Sequence, residues 1–462
     1  MKRENIQETR IQILNNREIR KGRYILYWMQ QSQRAELNHA LTYAIQQADG
    51  AGQGVVVVFG LMDDYPEANL RHHTFMLEGL KETRDALADL GILMVIQKGH
   101  PVRVALSLSA DASMIVCDRG YLRHQKDWRI QLAGKADCRV VQVESDVVVP
   151  VEVVSGKAEY AARTIRPKIH KHLETYLKGI SFHPPARSSL GMSFKSMNIA
   201  DPAAVLRQTK IDPSIPPVSR FFKGGTFQAK TVFKDFLHSR LERYDENSNQ
   251  PQTDDISHMS PYLHFGQISP IYLALEIQRA GKKHQANGSA YLEQLIVRRE
   301  LAMNFTNDTA NYDTIACLPA WAQNTLQAHA TDKRAYSYSL QQLVDAETHD
   351  PYWNACMREM RYTGFMHNYM RMYWGKKILE WTETPQKAFE VLLALNNRYF
   401  LDGRDPNSYA GVGWVFGLHD RAWSERPIFG KIRYMAASGL ERKCDIQAYI
   451  RKVDGLVKEA AA

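Results

Sequence analysis

Cysteine is scarce in this sequence, and its spacing fits neither a disulfide framework nor a metal site. Five cysteines are scattered over 462 residues, and none of them forms a CxxC pair. A disulfide-stapled fold and the common zinc sites are therefore excluded, and no metal ligands are predicted. Scattered free cysteines are typical of a reducing compartment, so we expect the protein in the cytoplasm.

Long apolar runs are also missing. Nowhere do 18 apolar residues follow one another, so no membrane-spanning segment is expected. The charged N-terminus, MKRENIQETRIQILNNREIRKGR, lacks the apolar core of a signal peptide. No GxGxxG follows the first predicted strand and no GxxxxGK(S/T) occurs, which excludes the usual nucleotide-binding fingerprints.

The composition is that of a globular protein with a basic excess. Hydrophobic residues make up 44% and charged residues 24%, which is enough for a sizeable core. The length indicates two or three domains. The net charge of +9 permits a polyanion partner such as nucleic acid, but does not require one.

Strand and helix patterns alternate in the first third of the chain. Short runs rich in β-branched residues predict buried strands at 24–29, 55–60, 92–99, 113–118 and 141–149. Helical periodicity between them predicts a doubly wound, Rossmann-like parallel sheet.

These patterns divide the chain into four parts. Residues 1–23 are predicted to be a charged extension and residues 24–150 the α/β domain. Proline-rich residues 151–225 are predicted to connect the domains, with some helix. From Thr226 onward helical patterns dominate, which predicts an all-helical domain over 226–462.

Two segments of the helical half could carry chemistry. SHMSPYLHFGQISP (257–270) begins a helix whose free N–H groups could hold a phosphate, although an ordinary capped helix has the same pattern. MHNYMRMYWGKKILEW (366–381) places Trp374 and Trp381 seven residues apart on one helical face. That face is either a core stripe or an electron relay.

Two further segments are polar or basic. NNRYFLDGRDPNSYAGVGW (396–414) contains a polar turn whose carboxylates could pair with Arg371, since a buried arginine needs such a partner. LHDRAWSERPIFGKIRYM (418–435) mixes arginines with aromatics, which suits phosphate contact and base stacking, or a solvated charged face.

Together these segments resemble the photolyase–cryptochrome family, and most closely its class II cyclobutane pyrimidine dimer photolyases. The matching segments occur in family order: YWMQQSQRAELNHAL (27–41), KAEYAARTIRPKI (157–169), SPYLHFGQIS (260–269), THDPYWNA (348–355), MRMYWGKKILEW (370–381), LDGRDPNSYAG (401–411) and HDRAW (419–423). They span most of the chain from residue 24.

The resemblance implies an N-terminal α/β domain and a C-terminal helical domain that holds FAD, active as FADH⁻. The residues that it assigns to FAD are Tyr244, Ser257, Met259, Ser260, Arg371, Asn396, Asp402, Gly403 and Asp405, and Asn407 would complete the polar loop with Asp405. Within this set, Arg371 and Asp402 would form an ion pair beside the flavin ring, and Asn396 would face flavin N5.

The resemblance also implies light-driven repair of pyrimidine dimers in double-stranded DNA. Trp374, Trp353 and Trp381, in that order from the flavin, would pass the electrons that reduce it. The dimer would leave the duplex and meet the following residues: Gln294, Arg298, Arg299, Asn368, Trp414 and Arg421. Trp414 would be the aromatic platform.

The chain departs from the family pattern around the expected lesion pocket. Gln294 stands where photolyases place a glutamate that contacts the dimer, and glutamine supplies neither a proton nor a charge. Arg298 replaces a tryptophan found in many members. Ser248 and Asn368 replace an arginine and a glycine of class II.

The sequence therefore leaves two main hypotheses for the function. The first is a light-dependent DNA repair lyase, and the main alternative is a cryptochrome-like blue-light receptor without repair activity. A (6-4) photoproduct enzyme has less support, because His264 and His367 belong to class II-like motifs. We expect a monomer, near the nucleoid in a prokaryote or in the nucleus of a eukaryote. A deazaflavin or folate antenna chromophore occurs across the family, and the sequence carries no local fingerprint for either.

Overall fold

A six-stranded sheet forms the core of the first part of the chain. The computed structural model describes residues 6–280 and 284–462. The strands are β1 (Ile11–Ile13), β2 (Tyr24–Trp28), β3 (Gly54–Leu61), β4 (Leu93–Lys98), β5 (Ala112–Asp118) and β6 (Arg139–Val143). Their order in the sheet is β1-β6-β5-β2-β3-β4, and every neighbouring pair is parallel except β1 with β6.

Helices cover both faces of this sheet. They are α1 (His39–Ala51), α2 (Leu70–Asp89), α3 (Pro101–Ser109) and α4 (Arg123–Lys135). Alternate residues of β2 enter different cores, with Ile25 and Tyr27 on one face and Leu26 and Trp28 on the other. The predicted doubly wound α/β fold is confirmed. The continuous apolar runs predicted it because a strand that is buried on both faces must be apolar throughout.

The strand β1 was not predicted. It lies inside the segment interpreted as a charged extension, where Ile11 pairs with Val143 and Ile13 with Val141 of β6. The strand β1 has only three residues, Ile-Gln-Ile, and so short a segment shows no alternation long enough to predict a strand. Residues 1–5 of that segment lie outside the described residues.

The connector contains three helices, and the chain between the second and the third covers a sheet edge. Its helices are α5 (Val151–Val154), α6 (Ala162–Tyr176) and α7 (Pro202–Arg207). Between α6 and α7 the chain runs beside β4, where the Ser189 hydroxyl accepts from Leu93 N at 2.8 Å and Met197 N donates to Ile96 O at 2.7 Å. The free edge of β4 is thereby covered.

The second half is helical, as predicted. Its helices are α8 (Thr226–Ser239), α9 (Tyr244–Asn247), α10 (Ser260–His264), α11 (Pro270–Ala280), α12 (Gln285–Leu292), α13 (Arg299–Asp308), α14 (Ala320–Ala328), α15 (Leu340–Val344), α16 (Pro351–Thr363), α17 (Asn368–Trp381), α18 (Pro385–Tyr399), α19 (Pro406–Val415), α20 (Ala437–Lys443) and α21 (Ile446–Ala461). A π-helical segment, Glu293–Arg298, joins α12 to α13, and short 3₁₀ turns occupy Glu8–Arg10, Leu241–Arg243 and Ile315–Cys317. Across the described ranges, none of the helices is long and apolar enough to cross a lipid bilayer.

The two halves pack closely where Gly266 meets the loop after β2. A Cβ at Gly266, which has φ +64°, would lie 1.9 Å from Gln31 O, so only glycine fits. Arg34, buried with Asp146 at 2.7 Å, also donates to Gly266 O at 2.9 Å. These contacts hold the end of α10 against the α/β part.

Candidate active site

The polar turn after α18 meets the aromatic helix α17 through an ion pair. Arg371 Nη1 and Nη2 donate to the two Asp402 carboxylate oxygens at 3.0 and 3.1 Å. Its Nε donates to Met366 O at 3.0 Å, and its guanidinium carbon lies 3.9 Å from the centre of the Phe400 ring. The structure thus brings together the two residues that the sequence analysis paired, and it adds Phe400 as their aromatic neighbour.

The turn is compact because of Gly403. A Cβ there would lie 2.9 Å from Asn396 O and 3.0 Å from Asn397 Cα, so a larger residue would push the turn away from α18. Asn396 is buried on the last turn of α18, and its amide donates to Asn397 Oδ1 at 3.1 Å. The predicted flavin-facing residues Asn396 and Asp402 therefore belong to one rigid unit.

Asp405 begins α19 rather than lying free in the turn. Its carboxylate accepts from Asn407 N and Nδ2, each at 2.8 Å, and lies 3.2 Å from His264 Nδ1. Burial by itself would raise the pKa of Asp405, but the His264 hydrogen bond and the charge of Arg299 hold this pKa below its usual value. Asp405 is thus an ionised carboxylate that links α19 to α10.

The ring of Phe365 lies between the Arg371–Asp402 ion pair and residues 257–259, the segment before α10. Phe365 lies 4.9 Å from the His258 ring and 5.6 Å from the Arg371 guanidinium carbon. On the far side of this segment, Ser257 Oγ accepts from Tyr291 OH at 3.2 Å, and Tyr291 packs edge-on against Tyr244 at 5.4 Å. Met259 is buried beside them, and Ser260 is the first residue of α10.

Several buried polar atoms in this region lack a partner, as expected where a polar cofactor would bind. His258 Nδ1, His367 Nε2 and Trp374 Nε1 are buried and have no hydrogen-bond partner among the described residues. Buried polar groups are satisfied in most native structures. Together with the paired Arg371 and Asp402, these donors and acceptors fit a flavin nucleotide.

Three tryptophans form a buried chain that leads away from this region. Trp353 Nε1 donates to Trp374 O at 3.0 Å, and the Trp353 and Trp381 rings are 5.5 Å apart. All three are at most 3% exposed. At the inner end Trp374 contacts Phe400 at 6.0 Å, so the chain begins beside the Arg371–Asp402 pair.

A second group of predicted residues lies at the surface. Gln294 and Arg298 are exposed on the π-helical segment, and Asn368 is exposed at the start of α17. Arg298 Nε lies 3.4 Å from the Glu293 carboxylate, which also binds Arg166 at 2.7 Å. A π-helical turn offsets the following side chains, and such turns are frequent at functional sites.

Trp414 and Trp423 are surrounded by cations. Trp414 is half-buried, with Arg433 5.8 Å from its ring centre. Trp423 is 37% exposed between Arg421 at 4.9 Å and Arg433 at 4.7 Å. Trp414 and Arg421 were predicted from the sequence but Trp423 was not, although it stands in the HDRAW motif.

The placement of Arg299 argues against its predicted role in DNA binding. Its side chain is 7% exposed and donates to Asp146 O of the α/β part at 2.6 Å. It lies at the interface of the two halves, where little of its side chain is open to a partner in solution. Neighbouring helical residues point about 100° apart, so Arg298 and Arg299 face different surroundings.

A pocket that the sequence analysis did not locate opens at the carboxyl ends of β2, β3 and β5. Aromatic and amide side chains line it, together with residues of α10 and the polar turn: Trp28, Gln30, Gln33, Tyr65, Trp128, His264 and Arg404. Trp28 Nε1 and Gln33 Oε1 are buried and have no partner within the described ranges. Ligands of open α/β sheets bind at such strand ends.

The described part of the chain contains no group of three or more histidine, cysteine or acidic residues that could hold a metal ion.

Comparison with known proteins identifies the family. The sequence profile of DNA photolyase matches residues 25–188. The deoxyribodipyrimidine photo-lyase of Methanothermobacter thermautotrophicus is 48% identical over 456 residues, covering 98% of this chain and 100% of that protein. That of Potorous tridactylus is 39% identical over 433 residues, covering 93% and 81%. The solved structure of a bacterial class III photolyase from Agrobacterium tumefaciens has a TM-score of 0.75 at 17% identity, covering 96% and 90%, and supports the fold.

The chain belongs to the DNA photolyase family. It is therefore an enzyme, a DNA-repair lyase of the deoxyribodipyrimidine photo-lyase class. Enzymes of this flavoprotein family act on DNA that contains pyrimidine dimers.

Proposed function

We propose that this enzyme splits cyclobutane pyrimidine dimers in double-stranded DNA by light-driven electron transfer, as a class II photolyase that acts as a monomer. One observation carries the proposal. The Arg371–Asp402 pair adjoins a buried chain of three tryptophans, with Phe400 in contact with both Arg371 and Trp374.

The residues of the helical part would hold FAD and keep it reduced. Bound as FADH⁻, the cofactor would supply, after absorbing blue light, the electron that opens the cyclobutane ring, and it would regain that electron once the ring has split, so that the repair involves no net oxidation. Arg371 and Asp402 would orient the flavin ring, and Asn396 would face it. Trp374, Trp353 and Trp381, all buried, would pass on the electrons that restore the reduced state, and a reductant in solution such as a thiol would return an electron to the outermost tryptophan, Trp381.

The exposed residues would hold the flipped-out lesion. The half-buried ring of Trp414 offers a stacking platform, and Trp423 between its two arginines offers a second aromatic surface. Arg421 and Arg433 would contact the phosphates, so affinity should fall as salt is raised. Gln294 could donate and accept hydrogen bonds at the dimer bases without transferring a proton.

We further propose that the pocket at the strand ends binds an antenna chromophore of the deazaflavin or folate type. Aromatic walls suit a planar heterocycle, and the amides of Gln30 and Gln33 suit its polar edge. The loop after β2 is fixed by Asp118, whose carboxylate accepts from the N–H groups of Gln30, Gln31 and Ser32 at 2.9 to 3.1 Å.

A cryptochrome-like receptor is the second candidate, and Gln294 favours it. This residue lies exposed on the π-helical segment, where repair enzymes of the family are expected to carry a carboxylic acid. A receptor would keep the flavin and the tryptophan chain but lose the splitting of dimers.

Repair of a defined lesion separates the two functions. The holoenzyme is reduced, mixed with duplex DNA that contains a single thymine dimer, and either illuminated with blue light or kept in darkness. We expect the dimer to disappear only in the light, while a duplex with a (6-4) photoproduct stays unchanged. A photoreducible yellow protein that leaves the dimer intact would refute the repair function and support the receptor.

A further inference from the structure

A fully buried lysine lies beneath the predicted lesion platform. Lys376 belongs to α17, the helix that carries Trp374 and Trp381, and it is 0% exposed. Its ammonium nitrogen lies 4.7 Å from the centre of the Trp414 ring and donates to Val415 O at 2.5 Å. No carboxylate in the described chain forms an ion pair with it, so the Trp414 ring and one carbonyl are its immediate partners.

The position of this ammonium group is fixed by packing. At the preceding residue, Gly375, a Cβ would lie 2.6 Å from a methyl group of Val415, so α17 and α19 touch with no room for a side chain. Lys376 therefore cannot slide along α19 without opening this contact. A cation held beneath an indole attracts its ring face, and the attraction is largest where water is excluded.

We propose that Lys376 is the positioning residue for Trp414, holding the plane of the indole so that its outer face can stack on the flipped-out dimer. This inference rests on the proposed function of Trp414. In this role Lys376 does not take part in electron transfer. It connects α17, the helix of Trp374 and Trp381, to the predicted lesion platform Trp414.

The charge of Lys376 is sensitive to pH. Burial lowers the pKa of its ammonium group to about 7, with Asp420 raising it and Arg433 lowering it to smaller degrees. The ammonium form is therefore about half populated near pH 7, predominates well below it and is lost well above it. His419, which precedes Asp420 in the chain, has its pKa lowered to about 4 by burial, so it stays neutral over the same range.

A helix cap is the alternative role for Lys376, because Val415 is the last residue of α19. An amine at a helix C-terminus binds the free carbonyls and favours the helix dipole, with no effect on the ring. The two roles differ in one respect. A helix cap affects stability whether or not Trp414 is present, whereas a positioning residue affects dimer binding only through Trp414.

A double-mutant cycle on dimer affinity tests this difference. Dark binding of the holoenzyme to labelled duplex with one thymine dimer is measured for Lys376→Met, Trp414→Leu and the combination. We expect Lys376→Met to weaken binding about tenfold, as for the loss of a desolvated cation–π contact. In the Trp414→Leu background we expect it to have less than about a twofold effect.

Lys126→Met is the matched control. Lys126 also donates to backbone carbonyls, Thr306 O at 3.2 Å and Asn307 O at 2.6 Å, and it has no cation–π contact with an aromatic ring of the described residues. Its substitution should leave dimer affinity unchanged. If Lys376→Met unfolds the protein, Lys376→Gln provides the same comparison, and the wild-type pH profile provides one without any substitution.

The preference for dimer over undamaged duplex should decline as pH rises from about 6 to about 8.5 in the wild type and stay level in Lys376→Met. Equal effects of Lys376→Met with and without Trp414, or a pH profile unchanged by it, would overturn the inference. If Trp414→Leu itself leaves dimer affinity intact, the platform role fails instead.

Discussion

Removing the Asp402 carboxylate should cost the enzyme both FAD and stability. In Asp402→Ala, Arg371 would lose both of its ion-pair hydrogen bonds, of 3.0 and 3.1 Å, and keep only its bond to Met366 O and its contact with Phe400. A guanidinium group left without a carboxylate in a partly buried site is poorly solvated, and it would lie where the flavin is expected.

The size of the effect follows from burial. Breaking a fully buried ion pair costs about 3–5 kcal/mol. Here the side chains of Arg371 and Asp402 are 23% and 10% exposed, so water compensates in part. We expect a loss of about 2–3 kcal/mol, which corresponds to at least about 30-fold weaker FAD binding if the cost falls on binding.

Two assays check this prediction. The ratio of flavin to protein absorbance after purification reports FAD occupancy, and urea unfolding of the holoenzyme reports stability. Arg371→Met combined with Asp402→Ala should cost less than Asp402→Ala alone, because no unpaired charge remains. As a control, Asp313→Ala removes an exposed pair with Arg123, at 2.8 Å, and should cost at most about 1 kcal/mol. Full FAD content and unchanged unfolding in Asp402→Ala would show that the pair has no role in the site.

Three other predictions address the electron path, the lesion pocket and the domain interface. Trp374→Phe should retain FAD yet abolish photoreduction of the oxidised flavin, and undiminished bleaching of its absorption band under blue light would contradict the proposed path. Gln294→Glu should raise the repair yield of chemically reduced enzyme, so an equal or lower yield would remove Gln294 as the cause of any deficit. Burial raises the pKa of Glu300 to about 8, although the Val148 and Val149 amides favour its ionised form. A raised pKa means that the folded protein keeps a proton that the unfolded chain loses, so the free energy of unfolding should fall between about pH 4.5 and 8, by at most about 1.4 kcal/mol per pH unit. Glu300→Gln should flatten this slope in denaturant unfolding, and an unaltered slope would exclude Glu300 as its source.

The α/β fold was predictable because a buried parallel strand needs an unbroken apolar run. The runs around Val55–Val58 and Ile115–Cys117 are therefore visible without any tertiary knowledge. By contrast, β1 has only three residues, and its pairing with β6 depends on where the chain returns after 125 intervening residues or more. Such an edge strand leaves almost no local pattern.

In the candidate site, too, some residues were predictable from local spacing and others were not. The seven-residue spacing of Trp374 and Trp381 is a local property of a helix, so their shared face could be read directly. Trp353 enters between them only because α16 packs on α17, a contact that spacing does not encode. The resemblance to a family supplied that residue in advance.

The sequence by itself determined the order of strands and helices, the helical faces and the residue types available for flavin and DNA. Only the tertiary structure decided which of two adjacent arginines is exposed, with Arg298 at the surface and Arg299 closed into the domain interface. It also placed the pocket at the strand ends and brought Lys376 beneath Trp414. The reason is physical. Local patterns follow from the geometry of one helix or strand, whereas burial and contact depend on which surfaces of distant segments come together.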